Sequence, residues 1–157
     1  VLRDYNAPNR PQLASEMASL CRQQGLYFLI AGNPDMAVQH RAGLHCPEKL
    51  TPRLIRQFAK IRAATPNTLI TGAAHSPHAL RQAEEAGLDA AFLSPIFSTQ
   101  SDPDKTAIGP VKTALWIKQS SLPVYALGGM SLNAHKRLLN VGHFGFAAIE
   151  FWQAQLR

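Results

Sequence analysis

Polar residues and glycines stand at the ends of several apolar runs in this chain, and their types suit the binding of a phosphorylated small molecule. An arginine and several hydroxyl groups can donate hydrogen bonds to an anion. Two consecutive glycines lack a Cβ, so a ligand can approach the main chain closely there. Carboxylates are few in this set, which makes hydrolytic acid–base chemistry a poorer fit. The candidate site residues are Arg3, Tyr5, Asn33, His45, Glu48, His75, Ser94, Thr99, Ser101, Gly128, Gly129 and Glu150.

The glycine pair Gly128-Gly129 follows an apolar run over 122–127, and Ser131 then begins a predicted helix. A buried strand, a bare turn and a helix N-terminus in this order form a place where phosphate can bind, because free N–H groups and the helix dipole favour an anion. A strand-to-helix turn that needs glycine only for its geometry is the alternative. A glycine pair alone does not decide between the two.

The histidines and cysteines show no metal-binding spacing. His75 and His78 are three residues apart, but His78 falls inside a predicted helix and no third ligand is near. The sequence therefore favours a structural hydrogen bond of His75 at a strand end over a metal site. Cys21 and Cys46 are far apart and are predicted to be buried thiols. Such sparse cysteine is typical of a reducing compartment and suggests a cytoplasmic protein.

Helices and apolar runs of strand length alternate along the whole chain, and a glycine precedes several of the runs. Runs that are apolar on both faces are typical of parallel strands covered by helices. Helical periodicity and the capping pairs Thr51-Pro52 and Ser76-Pro77 mark the helices between them. Strands are predicted over 1–3, 26–31, 43–46, 67–73, 90–97, 122–127 and 144–149, and helices over 11–24, 35–41, 52–62, 77–86, 111–119 and 132–141.

The expected fold is α/β, a (β/α)₈ TIM barrel with seven βα units visible in this chain. Even strand spacing and the lack of a Gly-x-Gly-x-x-Gly fingerprint favour a barrel over a doubly wound sheet. Such barrels usually need about 200 to 250 residues. We therefore expect residues 1–157 to form a single TIM-barrel domain that lacks its first βα unit at the N-terminus. Open strand edges would make that isolated chain poorly stable.

The composition limits the partners of this chain. It has 157 residues, 46% of them hydrophobic and 17% charged, with a formal net charge of +6. No run of about 18 apolar residues is present, so no membrane span is predicted. Positive charge raises nucleic acid as a partner, and the possibility of an oligomer stays open. The densest basic stretch, Arg53, Arg56, Lys60 and Arg62, has apolar residues at helical spacing between its members, which favours a solvated helix face over a nucleic-acid surface.

Six segments of the chain carry motifs that occur together in one known family. They are Leu2-Arg3, Gly43-Leu44-His45, Ala74-His75-Ser76, Ser94-Pro95-Ile96-Phe97-Ser98-Thr99-Gln100-Ser101, Gly109 and Pro123-Val124-Tyr125-Ala126-Leu127-Gly128-Gly129-Met130. Together they resemble the thiamine phosphate synthase family, whose superfamily includes the thiazole tautomerases. Their order and spacing agree with the family from the first residue to Ile149, and the resemblance implies a TIM barrel.

The resemblance implies a transferase of thiamine biosynthesis that joins hydroxymethylpyrimidine diphosphate to a thiazole phosphate. In the family, Mg²⁺ holds the leaving diphosphate, a pyrimidine carbocation forms, and the thiazole nitrogen attacks it. By position, the thiazole phosphate would bind to Gly128, Gly129 and the Ile149-Glu150 turn. The diphosphate and the thiazole end would contact Arg3, Thr99 and Ser101, and Lys105 would reach inward from the loop.

The chain departs from the family pattern where the metal and the diphosphate would bind. The Asn-Asp pair after the family's third strand falls on Ala31-Gly32, which leaves Asn33 as the nearest polar group. The Asp expected after the fourth strand is absent, and Glu48 is its stand-in as a metal ligand. The family's strand lysine falls on Tyr5. A non-catalytic paralogue that binds a thiamine-precursor phosphate is therefore the alternative to an active synthase. Further replacements are Ala73 for a serine, Asp102 for the loop lysine, Glu150 for a serine, and Pro95 for the tautomerase histidine.

Overall fold

The structure, a computed structural model, describes residues 1–99 and 104–148 of the chain. It divides into two compact units, Val1–Gly72 and Ala73–Arg157. In each unit parallel strands alternate with helices, and the order of the strands in the sheet follows the order of the chain. The α/β class predicted from the sequence is therefore confirmed. That residues 1–157 form one barrel domain stays a prediction.

The first unit holds two strands, the beginning of a third, and three helices. β1 pairs with β2 and β2 with β3, always in parallel, with His45 beside Thr71. The predicted strand at 1–3 is present as a parallel bridge between Leu2 and Ile30. The elements are α1 (Arg10–Gln23), β1 (Leu29–Ala31), α2 (Pro34–Gln39), β2 (Gly43–Cys46), α3 (Pro52–Ala64) and β3 (Ile70–Ala74).

The second unit continues the same alternation from the end of β3. β4 pairs with β5 and β5 with β6, again in parallel, with Leu93 beside Ala126 and Tyr125 beside Gly145. The elements are α4 (Pro77–Glu85), β4 (Ala90–Leu93), α5 (Pro110–Lys118), β5 (Val124–Ala126), α6 (Leu132–Lys136) and β6 (Gly145–Phe146).

Each unit has its own apolar core, which strand, helix and loop residues form together. Every residue of β1 and β2 is buried, as expected for strands covered on both faces. Each large aliphatic side chain in such a core contributes about 1.5–3 kcal/mol to folding. The largest fully buried side chains are Ile30, Leu44, Ile61 and Ile70 in the first unit and Leu80, Leu93, Ile96, Val124 and Leu138 in the second.

Short polar side chains begin the helices where the sequence predicted them. The Thr51 hydroxyl accepts a hydrogen bond from the N–H of Leu54 at 3.2 Å. The Ser76 hydroxyl accepts one from the N–H of Ala79 at 3.1 Å. These contacts satisfy N–H groups that the first turn of a helix leaves free. Both predicted helix starts are confirmed.

Two predicted elements are shorter in the structure. α6 ends at Lys136 and not at 141, because the N–H of Leu138 donates to the carbonyl of His135 three residues back, at 2.8 Å. The first apolar run begins its strand only at Leu29. The N–H of Leu26 instead donates to the carbonyl of Cys21 at 2.8 Å, which closes the end of α1 after a glycine.

The predicted buried face of α1 is wrong in part. The helical spacing of Leu13, Met17, Leu20 and Cys21 in the sequence predicts one apolar stripe, but Leu20 is 57% exposed and Cys21 is half-buried. The buried residues of α1 are Arg10, Ala14 and Ala18. Small alanine side chains let this face of the helix lie close to its neighbours, whereas the bulkier side chains remain at the rim.

The basic helix α3 has the solvated face that the sequence predicted. Phe58 and Ile61 are its buried residues, while Arg53 and Arg56 are exposed. Lys60 forms an ion pair with Asp35 at 3.1 Å in which both side chains remain mostly exposed. Within 1–99 and 104–148, no helix is both long and apolar enough to cross a bilayer.

Candidate functional site

Predicted site residues of the first unit lie at or just beyond the carboxyl ends of its strands. Asn33 follows β1, His45 is the third residue of β2, and Glu48 follows that strand. The carboxyl ends of parallel strands share one edge of a sheet, which is where ligands bind in folds of this class. The Asn33 side chain caps the start of α2, because its Oδ1 accepts a hydrogen bond from the N–H of Met36 at 3.0 Å.

His45 is buried, and the structure brings Arg3 near it. Its Nδ1 lies 3.0 Å from the Thr71 hydroxyl. Burial, together with the smaller effect of the positive charges of Arg3 and of the N-terminus, lowers the pKa of His45 to about 4. The imidazole is therefore neutral near pH 7. It can donate or accept hydrogen bonds, but it adds no charge to the site. The positive charge at this place belongs to Arg3.

Tyr5, a predicted site-lining residue, packs between an arginine and a glycine. The Arg10 guanidinium lies over the Tyr5 ring, 5.4 Å from its centroid. A Cβ built on Gly32 would lie 3.0 Å from the Tyr5 ring carbon Cε1. Arg10 itself is buried, and its Nη2 donates to the carbonyl of Ala31 at 2.7 Å. Arg10 is not among the site residues predicted from the sequence. The only sign of it there is its position as an arginine in the first turn of a helix.

The described side chains do not fit a magnesium site. Mg²⁺ prefers several oxygen ligands in octahedral arrangement. The positions of the family's Asn-Asp pair are Ala31 and Gly32, which carry no side-chain oxygen. Among residues 1–99 and 104–148, no group of three or more His, Cys, Asp or Glu side chains could hold a metal ion. Glu48, the predicted metal ligand, is half-buried and belongs to no such group.

In the second unit, His75 makes the structural hydrogen bond that the sequence predicted. Its Nδ1 lies 2.6 Å from the Ser94 carbonyl and 3.2 Å from the Ser94 hydroxyl. A carbonyl can only accept, so Nδ1 of His75 carries a proton and donates it in this contact. The contact joins the residue after β3 to the residue after β4. Whether His75 also lines a ligand site stays a prediction.

Gly128 and Gly129 have positive φ angles, +88° and +61°, and both contact the segment after β4. A Cβ on Gly128 would lie 2.7 Å from Pro95 Cα, and one on Gly129 would lie 2.8 Å from Phe97 Cβ. The carbonyl of Gly128 accepts a hydrogen bond from the N–H of Phe97 at 3.1 Å. The backbone conformation and the close packing of this turn therefore both require glycine at these two positions.

The same turn has main-chain donors for an anion. Among the described residues, no carbonyl accepts a hydrogen bond from the N–H of Gly128 or Gly129. Arg137 adds a positive charge that the sequence analysis missed, since its guanidinium lies 4.7 Å from the centroid of the Phe97 ring. Phe97 in turn contacts Gly129. Both phosphate binding and backbone geometry can thus require the glycine pair.

The remaining predicted residues of the second unit have less defined surroundings. Thr99 is half-buried and comes directly after Ser98, whose carbonyl faces Gly129. Lys105 is exposed. Ser101, Ile149 and Glu150 lie outside the described residues, so their predicted roles stay predictions.

Parallel strands alternating with helices, with anion donors just beyond the strand ends, define this chain as an α/β protein with a candidate phosphate site. A family model described as thiamine monophosphate synthase (TMP-TENI) matches residues 1–151. The chain belongs to the thiamine monophosphate synthase family, as its motifs predicted.

Individual relatives agree with this assignment. A putative thiamine-phosphate synthase 2 of Aquifex aeolicus is 33% identical over 155 residues, covering 96% of this chain and 80% of the relative. A thiamine-phosphate synthase of Coprothermobacter proteolyticus is 28% identical, covering 94% of this chain and 70% of the relative. The solved structure of a thiamine phosphate pyrophosphorylase from Pyrococcus furiosus has a TM-score of 0.74 at 24% identity, covering 92% of this chain and 68% of that one. This last likeness confirms the fold.

Proposed function

We propose that this chain acts as a thiamine phosphate synthase, joining hydroxymethylpyrimidine diphosphate to a thiazole phosphate with release of diphosphate. The observation that carries the proposal is the family match over residues 1–151, which includes every described candidate site residue. In this reaction the bond between the pyrimidine methylene carbon and the diphosphate oxygen breaks. The thiazole nitrogen then forms the new bond to that carbon.

The second unit offers groups for the thiazole phosphate. The main-chain N–H groups of Gly128 and Gly129 would donate to its oxygens, with Arg137 as a nearby positive charge. Thr99 would contact the thiazole end. These groups position a substrate and move no proton, which suits a reaction whose rate depends on orientation and charge stabilisation. Ser101 and the Ile149-Glu150 turn would contribute by analogy with the family alone.

The first unit offers groups for the diphosphate. Arg3 would bind it, and the neutral His45 beside Arg3 adds no competing charge. In the family Mg²⁺ supplies charge neutralisation of the leaving group, but the described side chains here do not present its oxygen ligands.

A non-catalytic role is the second candidate, and the unfavourable donor set for Mg²⁺ supports it. Such a paralogue would bind a thiamine-precursor phosphate without coupling it to a pyrimidine. In either role we propose small phosphorylated molecules as the ligands, a single TIM-barrel domain, and a cytoplasmic location. Nucleic acid as a partner is supported by the positive net charge alone.

Product formation tests the proposal. The purified chain is incubated with hydroxymethylpyrimidine diphosphate and thiazole phosphate, with Mg²⁺ and separately with EDTA, and thiamine phosphate is measured by mass spectrometry. The synthase role predicts product, and Arg3→Met should lower its rate while Arg53→Met, on the exposed face of α3, should not. Substrate binding without product in either condition would identify the non-catalytic role.

A further inference from the structure

Arg10 is a buried positive charge that has no negative partner among residues 1–99 and 104–148. Its side chain is 9% exposed. Nη2 donates to the carbonyl of Ala31, while Nε is buried and has no hydrogen-bond partner among the described residues. The ion pair found in the described part of the chain joins Lys60 to Asp35 and does not involve Arg10. Burial of an unpaired guanidinium is strongly unfavourable, so an anion is the partner that this side chain lacks.

The start of α1 makes the same place more positive. Arg10 is the first residue of this 14-residue helix, and the first turn contains no acidic side chain. The preceding residue, Asn9, makes no capping hydrogen bond with its side chain. The N-terminal end of a helix carries a partial positive charge, which disfavours an arginine and favours an anion there. Two independent features therefore require negative charge at one point.

The position of Arg10 relates it to substrate binding. Ala31, whose carbonyl accepts from Arg10, is the last residue of β1, at the carboxyl edge where barrel ligands bind. Tyr5 holds the guanidinium by a cation–π contact. Ala31 and Gly32 also occupy the positions where the family has its Asn-Asp pair. The Arg10 guanidinium thus lies beside the two positions, Ala31 and Gly32, at which the family has metal ligands and this chain has none.

We infer that Arg10 binds the diphosphate group of the pyrimidine substrate directly, so that diphosphate binding by this chain does not require Mg²⁺. The inference rests on the proposed function for the identity of the ligand. A planar guanidinium can make two parallel hydrogen bonds to phosphate oxygens, and it keeps its charge at every relevant pH. Tyr5 is a positioning residue that orients Arg10.

Inorganic pyrophosphate, the diphosphate alone, is the probe. Its affinity is measured by calorimetry and by thermal shift in EDTA, with sulfate at equal ionic strength as the control for general anion effects. The wild-type chain should bind pyrophosphate in EDTA, and Arg10→Met should weaken binding about 10- to 100-fold. Arg22→Met is the matched control, because Arg22 lies on the same helix but is exposed, and it should bind like the wild type.

Several outcomes would overturn the inference. Binding of pyrophosphate by the wild type only when Mg²⁺ is present would do so, and so would unchanged affinity in Arg10→Met. If Arg10→Met does not fold, Arg10→Lys is measured in its place. A lysine cannot make two parallel hydrogen bonds to phosphate, so we expect pyrophosphate binding to weaken about tenfold. Unchanged binding in Arg10→Lys would contradict the inference. Turnover separates the two proposals. An inactive wild-type chain that binds pyrophosphate through Arg10 refutes the synthase role alone, whereas an active one with Arg10-independent binding refutes only this inference.

Discussion

Gly129 packs against Phe97 so closely that a Cβ at the glycine would lie 2.8 Å from Phe97 Cβ. The φ angle of Gly129, +61°, also belongs to the left-handed region. The turn after β5 therefore combines a backbone that needs glycine with main-chain donors that suit phosphate. A substitution there changes stability and ligand binding together, and the two effects have to be measured separately.

Gly129→Ala should lower the free energy of unfolding by about 2–4 kcal/mol. The cost of a left-handed backbone at a residue with a Cβ and the cost of the close contacts of that Cβ are added together. Urea unfolding measures the loss. Gly87→Ala is the matched control: its φ is +72°, but no atom lies within 4 Å of the added Cβ. It should lose only about 1–2 kcal/mol from strain. Equal losses in the two variants would contradict the close packing described for Gly129.

His45 makes stability depend on pH. Its pKa in the folded chain is about 4, against 6.5 for the ordinary side chain. Between these values the unfolded chain binds the extra proton, so stability is full above pH 6.5 and falls as the pH drops towards 4. The full shift corresponds to about 3 kcal/mol.

Urea unfolding of the wild type and His45→Asn between pH 7 and pH 4 tests this linkage. The variant should lose most of the acid dependence attributed to His45. His78→Asn, at an exposed position of α4, should keep the wild-type dependence. A wild-type stability that stays level over this range would refute the buried neutral imidazole.

Arg137 should affect ligand binding with little effect on folding. It is exposed and contacts Phe97 through its guanidinium. Arg137→Met should weaken thiazole phosphate binding about 3- to 30-fold through the lost charge, and should change the free energy of unfolding by under about 1 kcal/mol. Calorimetry with wild type, Arg137→Met and the surface control Arg53→Met measures both. Equal affinity in all three proteins would exclude Arg137 from the phosphate site.

The local features of this fold could be predicted from the sequence because they depend on near neighbours. The caps at Thr51 and Ser76 and the helix end at Gly25 follow from short-range chemistry, and all three are present. The parallel strands follow from their apolar runs. The early end of α6 could not be predicted, because three-residue hydrogen bonds replace the helical pattern there without any proline or early glycine to mark the change.

The candidate site was harder to predict because its contacts join distant parts of the chain. No local pattern marks Arg10, yet it is buried and donates to a carbonyl 21 residues further along. The contact of Arg137 with Phe97 likewise spans two elements. The glycine pair was visible as a motif. That each glycine also closely contacts the segment after β4 depends on packing that no local pattern encodes.

Calorimetric titration of the wild-type chain with thiazole phosphate tests the central claim most directly, because that ligand needs only the proposed phosphate turn. The account predicts saturable binding of one molecule per chain, weakened in Arg137→Met. Absence of any heat of binding from a folded wild-type chain would contradict it, and the likeness to the thiamine monophosphate synthase family would then extend to ancestry and fold without a shared ligand.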